Sequence, residues 1–246
     1  MSGIRLAALY GIYPHRLGFC GPQKNRDKRV LLDYLSGQKF PEEKIRGILE
    51  EFEGAFPYYK LIAKSNNIKD PFNEKVVKAY WIGNRLLEKV SVDSLRKMII
   101  KEFSKPGLLS KHLSLKKAKE TPLNSKPHHS FHALVMGSVT GRIVLKGKLL
   151  DFCRIGWGKV IQHKLGRKNK IMIEYQPVRE KNERYFLGEP IEKLISWDRN
   201  LVLKINIGDT VSVHWNYLIQ ILNKGDLANL KKYTQITIES LNDKAT

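Results

Sequence analysis

Two stretches in the last third of the chain decide its fold: Cys153-Arg154-Ile155-Gly156-Trp157-Gly158-Lys159-Val160 and Gly208-Asp209-Thr210-Val211-Ser212-Val213-His214-Trp215-Asn216. Each reads as a strand flanked by turn residues. In the second, Val211, Val213 and Trp215 alternate with Ser212, His214 and Asn216. A strand sends those two sets to opposite faces, so the apolar set should meet a core and His214 should lie on the more polar face. Each stretch also carries a side chain able to bind a soft or borderline metal, a thiol at Cys153 and an imidazole at His214.

Outward from these stretches the two-residue period continues. Ile171, Ile173 and Tyr175 oppose Met172, Glu174 and Gln176, and Leu201, Leu203, Ile205 and Ile207 alternate with more polar residues. Gly166 to Asn169 and Glu180 to Glu183 read as hairpin turns. Short strands separated by turns predict a small closed barrel of OB-like type. Asp226 then reads as the N-cap of a terminal helix through Tyr233.

Residues 26–123 instead show helical spacing. Val30, Leu31, Tyr34 and Leu35 precede Gly37; Pro41 opens a helix with Glu42 and Glu43 in its first turn; Ser91 caps another with Leu95, Met98, Ile99 and Phe103. Asp70-Pro71 reads as a further helix start, and Pro14 with Gly18, Gly21 and Pro22 as a break in the first helix. The expected class is α+β: a helical N-terminal domain over 1–147, then a small OB-like β-barrel over 148–246 with a C-terminal helix.

The chain has 246 residues, with 44 Lys and Arg against 24 Asp and Glu, for a net charge of +20. Such a surface suits nucleic acid or another acidic partner, or it merely solvates dispersed lysines. The lysines between 111 and 126 lack the interleaved aromatics that stack bases. Two cysteines make no disulfide framework, Arg5 interrupts the short N-terminal apolar run, and no run of about 18 apolar residues marks a membrane span. A cytoplasmic protein with reduced thiols is expected.

Metal-ligating side chains concentrate in a few places. Pro127-His128-His129-Ser130-Phe131-His132 holds three of the seven histidines. On a helix, His128 and His132 at i,i+4, or His129 and His132 at i,i+3, would share a face. Cys20 sits among glycine turns, where backbone can present a thiol. Plainer roles stand beside these: His128, His129 and His132 as capping or hydrogen-bonded residues, Cys20 and Cys153 as small buried packing residues, His214 as a hydrogen-bonded cleft residue. No Gly-x-Ser-x-Gly elbow, P-loop or dinucleotide fingerprint occurs, so an enzyme with Cys153 as nucleophile and His214 as base ranks last.

Cys153, Gly158, Lys159 and Val160, followed by Gly208, Asp209, Val211, Val213 and His214, resemble the HypC/HupF-type hydrogenase assembly chaperones over roughly residues 152–232. Trp157 stands where that family has proline, Asn216 and Leu218 where it has Gly and Ala, and Cys153 is internal where its cysteine follows the initiator Met. The resemblance implies metallocentre assembly, an iron fragment (or zinc) held by Cys153 and His214, and as client a NiFe hydrogenase large-subunit precursor or maturation factor. Cys20 or the His128, His129 and His132 cluster would complete the ligand set. Over the whole chain, Arg16 to Pro22, Pro127 to His132, Cys153 to Ile155 and His214-Trp215 resemble a prokaryotic family catalogued as a domain of unknown function and taken to be hydrogenase-associated. The alternative is a nucleic-acid-binding protein, with lysines on phosphate and Trp157, Tyr175 or Trp215 stacking on bases.

Overall fold

A computed structural model of the chain describes residues 1–163 and 169–243. Its first helices are α1 (Gly3–Arg16), α2 (Asn25–Leu35), α3 (Glu42–Glu50), α4 (Phe56–Ser65), α5 (Glu74–Trp81), α6 (Val92–Phe103) and α7 (Lys111–Lys119). One helical turn, α8 (His129–Phe131), runs into a π-type turn at His132–Met136, and α9 (Lys148–Cys153) leads into the strands. These are β1 (Gly156–His163), β2 (Lys170–Tyr175), β3 (Val178–Lys181), β4 (Arg184–Leu187), β5 (Ile191–Ser196), β6 (Thr210–His214) and β7 (Tyr217–Ile221), before the terminal helix α10 (Lys224–Asn242). The protein is therefore a mixed α+β structure.

Helix boundaries follow local chemistry, with instructive exceptions. Ser91 caps α6 through Oγ, which accepts the Ser94 N–H at 3.2 Å. The helix expected at Asp70 begins three residues later, capped by Asn73; Asp70 instead turns the chain ahead of it, accepting the Phe72 N–H at 2.9 Å while Arg46 holds its carboxylate at 2.8 and 2.9 Å. Asn223, not Asp226, caps α10, and Asp226 instead pairs with Lys78 at 2.7 Å. The first helix does not stop at Pro14 but runs through it to Arg16.

Five strands hydrogen-bond in a closed order, β1-β2-β5-β7-β6, with β1 returning to β6 through Gly156↔Val213 and Gly158↔Val211. The other two strands, β3 and β4, form a hairpin whose turn residues Asn182 and Glu183 have φ of 51° and 61°. Two left-handed residues in a row are the signature of a twist-compatible two-residue turn, so the hairpin expected there is formed. The turn expected at 166–169 falls outside the described residues except for Asn169. The alternating segment 201–207 forms no strand, and Leu203 and Ile207 are exposed. A ring whose strands are already paired on both sides leaves no edge for it.

Inside the ring lie Val160, Ile173, Tyr175, Ile195, Val211 and Val213. Gly156 and Gly158 face the same way and give the larger residues space: a Cβ at Gly156 would lie 2.5 Å from the Tyr175 ring. The opposite set of strand residues, including Trp157 and Ile219, joins α1, α4, α5 and α6 in the principal apolar cluster. The outer face of the ring is thus packed against helices, and this puts His214 in the interior.

Candidate metal centre

His214 is 1% exposed, so the polar face expected for β6 does not meet water. That face meets α1. Tyr10 supplies it twice: its hydroxyl bonds Ser212 Oγ at 2.9 Å, and its carbonyl lies 2.8 Å from His214 Nδ1. The carbonyl is free to do so because its normal helical donor would be the N–H of residue 14, and residue 14 is proline. Since a carbonyl only accepts, His214 carries its proton on Nδ1. Its Nε2 is left as a buried lone pair with no hydrogen bond of normal geometry, and the Cys153 backbone also acts on the ring. Burial pushes the ring's pKa down to about 4, so it is neutral.

The histidine cluster divides. His128 has extended backbone (φ −102°, ψ 154°) and is the N-cap of α8, its Nδ1 accepting the Ser130 N–H at 3.2 Å. Because it is not yet helical, it does not share a helix face with His132, and it packs on Tyr233. His129 and His132 do share a face, with ring centroids 5.8 Å apart. His129 Nε2 lies 2.8 Å from the Cys153 carbonyl and Nδ1 lies 2.9 Å from the Tyr80 hydroxyl. His132 Nδ1 meets the Tyr58 hydroxyl at 3.2 Å. Burial pushes His129 well below the ordinary range, and His128 and His132 to about 3.

Cys153 is the last residue of α9 rather than part of a strand, and is 6% exposed. The hydrogen bond from Trp215 N–H to the Phe152 carbonyl, at 2.8 Å, ties α9 to the β6–β7 turn. That turn is made by Trp215 and Asn216 with φ of 52° and 64°. Trp215 therefore ends the strand instead of extending its apolar face, and a bulky left-handed residue here stores strain beside the candidate ligands. Cys20 stands in a loop clamped by Glu53, which accepts from Gly21 N–H at 2.8 Å and pairs with Arg142 at 3.0 Å. Burial raises both thiols, Cys20 to about 12 and Cys153 well above its usual value, so both are protonated.

The fold brings one ligand atom each from His129, Cys153 and His214 within 4.8 Å of one another, all three residues buried. They line a small cavity of about 20 Å³ that Cys20 and His132 also line. A single water-sized guest needs roughly 10–15 Å³, so the space fits one small species. Around a tetrahedral ion with bonds of about 2.0–2.3 Å the donors would be about 3.5 Å apart, so closure needs shifts of roughly 1 Å. One imidazole already offers a lone pair, and the thiol would ionise on the metal. The group could hold a metal ion.

Sequence reading paired Cys153 with His214 and offered Cys20 or the His128, His129 and His132 cluster to complete the set, but it missed the roles of Tyr10, Pro14 and Tyr80, which orient the histidines. Proline four residues after Tyr10 was the available signal. A second cleft, of about 530 Å³, lies between α9, the β3–β4 hairpin and β5. Its wall holds Asp151, which accepts from Arg154 Nε at 2.9 Å, Tyr175 Oη at 3.0 Å and Val178 N–H at 2.8 Å. Lys193, 3.9 Å from the Tyr175 ring centroid, is driven down to about 8 by desolvation.

Among the described residues no helix is long and apolar enough to cross a membrane. A family model described as "Family of unknown function (DUF6390)" matches residues 1–246, and the chain belongs to that family. No curated protein and no solved structure matches it.

Proposed function

We propose that this member of a family of unknown function binds one transition-metal ion through His129, Cys153 and His214 and handles it in metallocentre assembly. The observation that carries this reading is the convergence of ligand atoms from His129, Cys153 and His214 within 4.8 Å, with His214 Nε2 making no hydrogen bond of normal geometry. A buried acceptor without a partner is costly, and at His214 a thiol and a second imidazole stand within reach of the same point. Two imidazoles and a thiolate suit Fe(II) or Zn(II), and three protein donors leave a position open. Cys20 and His132, on the same cavity, are the candidates to close or relay that position. The resemblance of the segments around Cys153 and His214 to hydrogenase assembly chaperones supports a NiFe hydrogenase large-subunit precursor as the client to test first. Burial of the donors means that loading and release require the surrounding loops to open.

The nucleic-acid reading loses its stacking residues, since Trp157, Tyr175 and Trp215 are 5%, 1% and 7% exposed. Its net charge and the closed ring of five strands remain.

The test is anaerobic titration of chelator-treated protein with Co(II), a spectroscopic stand-in for Fe(II) and Zn(II). One equivalent should produce tetrahedral d–d bands and a thiolate charge-transfer band. Cys153→Ser should lose the charge-transfer band, and His214→Gln should lower affinity without unfolding. Folded wild-type protein that binds no ion, or Cys153→Ser protein with the wild-type spectrum, overturns the assignment. Co-purification of metal-loaded protein with the precursor, lost in His214→Gln, tests the client.

A further inference from the structure

We propose that Tyr80, anchored by the Gly54 carbonyl, is the positioning residue that makes Nε2 the metal-binding atom of His129. This rests on the metal reading above and specifies how the free site converts to the loaded one.

Counting protons gives the reason. In the free protein, His129 Nε2 is 2.8 Å from the Cys153 carbonyl, which can only accept, so the ring proton sits on Nε2. The ring is 4% exposed and makes no contact with a carboxylate among its hydrogen bonds, so it is neutral and Nδ1 is an acceptor. Nδ1 faces the Tyr80 hydroxyl at 2.9 Å. The same hydroxyl donates to the Gly54 carbonyl, a second acceptor. One O–H proton thus serves two acceptors, and the free network is short by one.

Metal binding at Nε2 supplies the missing donor at Nδ1, and in exchange the Cys153 carbonyl gives up its bond from Nε2–H. The ring gives up its Nε2 proton and gains one on Nδ1, staying neutral. Nδ1–H then donates to Tyr80 Oη, and Tyr80 O–H donates to Gly54 O. Each group along that line has one partner of the right kind. The proton released to solvent comes from the Cys153 thiol as it becomes thiolate. Binding at Nδ1 instead is blocked by Tyr80 itself, whereas Nε2 faces the backbone carbonyl of Cys153, and one ligand atom of the ring lies within 4.8 Å of that residue's thiol. His214 needs no such exchange, because the Tyr10 carbonyl freed by Pro14 already holds its proton on Nδ1. Gly54 is held to glycine by the same site: a Cβ there would lie 2.8 Å from His132 Nε2. Orienting groups behind metal-bound histidines typically change affinity by 10–100-fold.

The experiment follows the imidazole nitrogens by NMR in ¹⁵N-histidine-labelled full-length protein, with zinc as the probe. Chelator-treated protein should show His129 protonated on Nε2 and His214 on Nδ1. Zinc saturation should move the His129 proton to Nδ1 and leave His214 unchanged. Tyr80→Phe should weaken zinc binding about 10–100-fold. Tyr59→Phe, which removes a neighbouring buried hydroxyl bonded to Trp81 rather than to His129, should leave affinity unchanged. If zinc binds and His129 keeps its Nε2 proton, or Tyr80→Phe binds like wild type, this inference falls and the metal site stands. If wild-type protein binds no zinc, both fall.

Discussion

Lowering the pH of chelator-treated protein from about 7.5 to about 5 should remove most of its stability, because five buried imidazoles, those of His15, His128, His129, His132 and His214, must stay neutral to remain in the fold. His128 and His132 are depressed to about 3, His214 to about 4, and His129 further, in each case chiefly by burial. The unfolded chain titrates these groups near 6.5. Above that value both states are neutral and nothing is lost. Below it the unfolded state takes up protons that the native state refuses, so stability falls as pH falls. Each ring then contributes about 1.4 kcal/mol per pH unit, or about 2 kcal/mol by pH 5. His128, His129, His132 and His214 alone amount to roughly 8 kcal/mol, and His15, also lowered by burial, acts in the same direction, against a usual total of about 5–15. Paired carboxylates such as Asp70, Glu88 and Glu102, whose values are lowered, lose their contribution only at more acid pH. The assay is urea unfolding followed by tryptophan fluorescence at several pH values, with the slope of stability against pH read as protons bound on unfolding. Between pH 6 and 5 that slope should reach at least about four protons, with His15 adding toward a fifth, and about one fewer in His132→Phe. A flat profile, or uptake of one proton or fewer, would refute the claim that these rings are desolvated and uncharged.

Metal binding should release one proton per ion if Cys153 is the only thiol that ionises and two if Cys20 joins it; calorimetry in buffers of different ionisation enthalpy counts them. Replacing Asp151 by Asn should cost about 3–5 kcal/mol in urea unfolding, because Arg154, 0% exposed, would keep its charge without its partner. Gly156→Ala should destabilise by about 1–3 kcal/mol, since the added methyl meets the Tyr175 ring at 2.5 Å inside the closed ring of strands; a stability equal to wild type would show that Tyr175 repacks freely.

Pro14 shows how one residue serves several levels at once. Taken by itself it reads as a stop signal, and the helix continues regardless, because α1 is buried along nearly its whole length and packing outweighs one lost hydrogen bond. The lost bond becomes an acceptor for His214. The 201–207 segment teaches the reverse lesson: strong alternation forms no strand without a partner edge. Meanwhile Ile191–Ser196, with no clean alternation, becomes a strand because β2 offers it a full register from Lys170↔Ser196 to Tyr175↔Ile191.

From the sequence alone came the helical stripes of residues 26–103, the Ser91 cap, the hairpin at 180–183, the strands carrying Val211, Val213, Ile171 and Ile173, and a short roster of soft metal donors. These are local properties, set by periodicity, capping chemistry and turn preference within a few residues. Tertiary structure alone decided which donors meet. His129 turns toward Cys153 and His214 because the helix starts after His128, not before it. His214 is interior because α1 covers the outer face of β6, and Cys153 reaches it because the Phe152 carbonyl holds the β6–β7 turn. Such distances depend on contacts between segments some 24 to 204 residues apart, which no local pattern encodes.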